Sequence, residues 1–159
     1  MGVWALFLGF AFLQVGNGLQ RILLPIRAES EGFGATAMGL VMASHFAGYL
    51  VGAKGIMRAL SSVGHVRTFA ALASLASTAV LVNAVVVMPL SWAAVYFISG
   101  FCSAGIFVVL ESWLNDRATN ENRGRILSSY MVIMMGGTAV GQLLVNVGAP
   151  TGFELFVLS

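Results

Sequence analysis

Gln14, Asn17 and Arg21 fall at i, i+3 and i+7, so a helix through them would carry all three along one face. They lie in QVGNGLQRILLPI (14–26), the outer part of an apolar run, with Gly18 on the same side to admit a ligand or another helix. Polar and ionisable groups within a membrane span are costly and turn toward a bundle interior or a water-filled cavity. This face is therefore expected to line a water-filled cavity. Two plainer roles stay open: interhelical hydrogen bonding for Gln14 and Asn17, and snorkelling toward the outer interface for Arg21. His45 lies in the second apolar run, about 13 Å from its outer end by helix rise, against about 12 Å for Asn17 in its own. It is a candidate proton relay or solute ligand, or else a neutral histidine bonded to a neighbouring helix. Gln142, deep in the fifth run, is a further cavity candidate, whereas interface polarity explains Asn83 and Asn146.

A second group of residues is charged. The stretch GAKGIMRALSSVGHVR (52–67) holds Lys54, Arg58, His65 and Arg67 and no acidic residue. Apolar runs of spanning length flank it, and a short basic loop between spans belongs on the cytoplasmic side. The stretch 112–125 adds Arg117, Arg123 and Arg125, giving six Lys and Arg on this side against Arg27, and at most Arg21, on the other. The N-terminus is thus expected in the cytoplasm.

These residues need long apolar helices to position them, and the composition demands the same. Of 159 residues, 58% are hydrophobic and 9% charged. Soluble domains carry roughly 25% charged residues, so lipid must cover much of this surface. The unbroken apolar runs exclude the two-residue alternation of a transmembrane barrel. The fold class expected is an all-α, polytopic transmembrane helical bundle in the plasma or inner membrane. The net charge of only +2, sited beside spans, argues against a nucleic-acid partner. Cys102 stands alone in an apolar run, where packing explains it. No P-loop, metal-ligand cluster or GxSxG motif is present, so neither a cofactor nor an enzyme is expected.

A span takes about 20 residues. Spans are expected at about 3–26, with Pro25 marking the end, then 36–56, 68–88, 91–111 and 126–147. Loops fall at 27–35, at the basic stretch, at MPLS around Pro89, and at 112–125. After NVGAPTG a sixth apolar run begins at 153, and FELFVLS supplies roughly 10 Å of the ~30 Å a helix needs. The chain is expected to be a fragment ending inside that span. Gly48 and Gly52 form GxxxG in the second run, as do Gly137 and Gly141 in the fifth, and both read as close-packing faces. No clear internal repeat is visible.

Six helices with basic loops after the second and fourth resemble the N-terminal half of a major facilitator superfamily transporter. Val63-Gly64-His65-Val66-Arg67 is similar to the tail of that family's loop between helices two and three, although Ser61 stands where its aspartate is expected. Glu111-Ser112-Trp113-Leu114-Asn115-Asp116, followed by Asn122-Arg123-Gly124-Arg125, resembles a bacterial branch, and Gly136 to Gly141 resembles a glycine-rich helix five that here lacks the usual proline. The resemblance implies a latch in which Glu111 pairs with Arg58 or Arg67 near Gly64, with Arg123 and Arg125 in the same cluster; the alternative is an ordinary solvated loop, where such pairs contribute about 0–1 kcal/mol. It also implies a secondary active transporter moving a small-molecule substrate by alternating access, in contact with membrane lipid and with the C-terminal half of the same protein. The alternative is an integral-membrane enzyme or accessory subunit complete at this length. Ser44 beside His45 serves an enzyme poorly, because adjacent helical side chains point about 100° apart.

Overall fold

Leu, Val, Phe and Ala, interrupted by glycines that membrane helices tolerate, build five long helices in a computed structural model that describes residues 3–147. They are α1 (Val3–Ser30), α2 (Ala35–Val63), α3 (His65–Val85), α4 (Pro89–Arg117) and α5 (Arg123–Leu144), closed by a 3₁₀ turn at Val145–Val147. All five are long and apolar enough to cross a membrane. The sixth apolar run, expected from 153, and most of the turn before it lie outside the described residues.

The helices overrun the expected span limits. Pro25 lies inside α1 rather than at its end. Membrane helices tolerate proline where neighbouring groups take up the freed carbonyl. The basic stretch is helix as far as Val63, so Lys54 and Arg58 sit on α2 while His65 and Arg67 open α3. The whole loop shrinks to Gly64, whose φ of 89° is closed to most other residues. Its amide donates to the Leu60 carbonyl, and its own carbonyl accepts from the Thr68 amide at 3.1 Å and the Thr68 hydroxyl at 2.8 Å. The polar stretch 112–125 likewise shrinks to a link at 118–122, and Pro89 begins α4, a first-turn position that needs no amide hydrogen. The cause is common to all of these. Hydropathy marks where lipid ends, but Lys, Arg, Leu and Ala keep a hydrogen-bonded helix going beyond it. At 29 residues, α2 and α4 are each roughly 43 Å long, against a hydrocarbon thickness of about 30 Å.

The chain divides into two compact units, one of α1 and α5 with the end of α4, the other of α2, α3 and the rest of α4. Lipid tails are as apolar as leucine, so small residues that let backbones touch drive helix association. In the first unit a Cβ on Gly18 would strike the Thr138 backbone, and one on Gly141 would strike the backbone of Val15 and Leu19. Phe10 stacks on Tyr130 with ring centroids 5.3 Å apart. In the second unit Gly48 and Gly52 of α2 lie against the backbone of Phe97 and Phe101 of α4, and Gly100 answers against that of His45. Trp92, fully buried, donates its indole N–H to the Val86 carbonyl at 2.8 Å and packs edge-on to Phe33.

Candidate functional site

The α1–α5 crossing carries the polar face. Gln14 is only 5% exposed. Its Nε2 donates to the Met134 carbonyl at 3.5 Å and to Thr138 Oγ1 at 3.4 Å, two acceptors on the same side of the carboxamide. Thr138 spends its own hydroxyl hydrogen on the Met134 carbonyl at 2.8 Å. Asn17, half-buried, donates from Nδ2 to Gln14 Oε1 at 3.2 Å. The glycines make this reach feasible: with Gly18 and Gly137 at the contact, α1 and α5 approach until short carboxamides bridge them. Arg21 stands exposed one turn beyond Asn17, and Gln142 is exposed on α5. Gln20, beside Arg21, is buried, and its Nε2 has no hydrogen-bond partner among the described residues.

His45 belongs to the other unit, on α2. It is half-buried, with its ring 5.7 Å from Tyr96 and 5.9 Å from Phe46. The structure thus brings together Gln14 and Asn17, keeps Arg21 on their helix, and sets His45 against α4.

The charged residues gather at helix ends. Arg58, Arg67 and Glu111 are all exposed in the second unit, and Arg123 and Arg125 are exposed at the start of α5. Among the described residues no ion pair joins Glu111 to Arg58 or Arg67. The join between the start of α3 and the end of α4 is instead His65 Nε2 at 3.2 Å from Ser112 Oγ, held in place by the single-residue link at Gly64.

The chain matches the Major Facilitator Superfamily over residues 6–154. The chain belongs to this superfamily. Relatives include the uncharacterized MFS-type transporter YcaD of Salmonella newport (strain SL254), 34% identical over 145 residues that make up 91% of this chain and 38% of the relative. The protein of the same name in Salmonella arizonae is 34% identical over 142 residues, 89% of this chain and 37% of that one. The chain therefore spans well under half the length of these relatives. No solved structure matches it. Superfamily membership and five apolar helices of spanning length make this a multi-pass membrane chain.

Two participants escape a reading by residue type. Thr138 looks like part of a glycine-rich helix, and Ser112 like a neighbour of Glu111. Thr138 did carry a signal, because it sits between Gly137 and Gly141 on the face that closes against α1.

Proposed function

We propose that the complete protein moves a small solute across the cytoplasmic membrane by alternating access, and that this chain supplies one of its two bundles. The hydrogen-bonded group of Gln14, Asn17 and Thr138, set within an apolar helix pair, carries the reading. An interhelical hydrogen bond in a membrane contributes only about 0.6 kcal/mol on average, while glycine-on-backbone contact already holds α1 to α5. Packing has no need of two carboxamides here, whereas solute recognition does. Gln14, Asn17, Arg21, His45 and Gln142 line the pathway. Arg58, Gly64, Arg67, Glu111, Arg123 and Arg125 form the inner gate, in which ion pairs close in one state and part in the other. The six-to-two excess of Lys and Arg supports a cytoplasmic N-terminus, and the C-terminal half of the protein supplies the opposite wall.

Single cysteines placed at 14, 17, 21, 58 and 117 of the full-length protein, with Cys102 replaced by alanine, test this through a membrane-impermeant maleimide. Positions 58 and 117 should label from the cytoplasmic side, and 14, 17 and 21 from the external side in the outward-open state. Labelling of 58 and 117 from opposite sides, or silence at all three polar-face positions in both membrane orientations, defeats the proposal.

A further inference from the structure

We infer that the polar group between α1 and α5 is a one-way hydrogen-bond chain that obliges Asn17 to present its carbonyl oxygen, so the solute must meet it with an N–H or O–H donor. The inference rests on the reading that this face lines the solute pathway.

The direction follows from counting donors and acceptors. A carboxamide can be turned over, exchanging its oxygen and its NH₂ group, so its neighbours decide which way it lies. Gln14 faces two oxygens of α5, the Met134 carbonyl and Thr138 Oγ1. A backbone carbonyl only accepts. Thr138, bound by its hydrogen to that same carbonyl at 2.8 Å, has only lone pairs left for Gln14. Turning Gln14 over would place its oxygen against the Met134 oxygen. Nε2 therefore faces α5, and Oε1 faces away. Asn17 must then answer Oε1 with its own NH₂ group, as it does at 3.2 Å. Its Oδ1 is left at the open end of the chain, with no hydrogen-bond partner among the described residues. The orientation is fixed by Met134 O on another helix, 117 positions along the chain from Asn17, not by Asn17 itself.

An acceptor held this way favours amines and hydroxylated solutes over solutes that carry acceptors alone. Arg21, exposed four residues further on, would by itself attract carboxylates, so the two groups predict different ligands and can be separated.

The test uses the purified full-length protein and four probes: erythritol and ethanolamine, which carry donors, and succinate and glycine betaine, which at neutral pH carry none. The readout is the shift each gives to the thermal unfolding midpoint. Erythritol, ethanolamine or both should stabilise the wild type, and Asn17→Leu should abolish that shift. Asn17→Asp keeps an outward oxygen, replaces the NH₂ donor to Gln14 Oε1 with a second oxygen and adds a negative charge; it should move the preference toward ethanolamine over erythritol by about tenfold, because charge-assisted hydrogen bonds are roughly twice as strong as neutral ones. Gln14→Met, which frees Asn17 to turn over, should narrow the gap between the donor-bearing and donor-free probes. Stabilisation by succinate or betaine equal to that by the donors, stabilisation by no probe, or donor shifts that survive in Asn17→Leu would each overturn the inference. Uptake of the same four probes into proteoliposomes separates the two claims. Binding of donors without uptake leaves the chain's direction standing and removes the transport reading; uptake of succinate in preference to the donors does the reverse.

Discussion

Two helix crossings use the same packing device and differ in what they set beside it. Where α2 meets α4, Gly48, Gly52 and Gly100 bring backbone against backbone, and the neighbouring side chains are rings, with His45 lying 5.7 Å from Tyr96. Where α1 meets α5, Gly18, Gly137 and Gly141 bring backbone against backbone again, but the neighbours are Gln14, Asn17 and Thr138, hydrogen-bonded in series. The shared part holds helices together in lipid. The part that differs is where this protein's chemistry is to be sought.

The largest effects should come from the shared device. Gly48→Leu and Gly141→Leu both drive a side chain into the backbone of a facing helix, and no rotamer relieves that. Each should destabilise by the upper end of the overpacking range, about 3 kcal/mol or more, measured by unfolding the purified protein in detergent. If Gly141→Leu proved far milder than Gly48→Leu, hydrogen bonds rather than glycine contact would be holding α1 to α5, and the comparison would break.

Next in size is the link that joins α2 to α3. Gly64→Ala forces φ near 89° on a residue with a Cβ and should cost about 1–3 kcal/mol, although neither helix crossing is touched. A loss of stability together with altered accessibility at residue 58 would tie the link to the proposed gate. No loss would mean that the backbone relaxes there and that the α2–α4 contact alone sets the arrangement of the second unit.

The difference between the crossings should barely register in stability. Gln14→Met removes two hydrogen bonds to α5 while keeping side-chain length, and should cost only about 0.6–1.7 kcal/mol. Solute binding should fall far more than that figure implies. A loss of stability like that of Gly141→Leu would make Gln14 a structural residue and end its proposed role in recognition. The smallest structural change expected is that of His45→Ala, which leaves the glycine crossing intact and is best read in transport: unchanged proton dependence of uptake would remove His45 from the mechanism.

Much of this was legible in the order of residues. The apolar runs gave five helices, GxxxG gave two close-packing faces, and the i, i+3, i+7 spacing gave the polar face of α1. Helix ends were not legible at Pro25, at Lys54 to Val63 or at Ser112 to Arg117, because polarity there signals the edge of the membrane while the backbone goes on bonding to itself. Glu111 drew attention by its charge, yet the contact made at that end belongs to its neutral neighbour Ser112 with His65. Residue type announces ion pairs more loudly than it announces a hydroxyl meeting an imidazole.

By itself the sequence determined that this chain lives in a bilayer, how many described helices are long and apolar enough to cross it, and which faces of α2 and α5 are small enough to touch a neighbour. Those properties are sums over nearby residues and need no partner. Only the tertiary structure decided that α5 answers α1 and that α4 answers α2, and with it which atom of Asn17 turns toward Gln14. That choice was made by a carbonyl oxygen on a distant helix, and every residue carries such an oxygen, so no side chain spells it out.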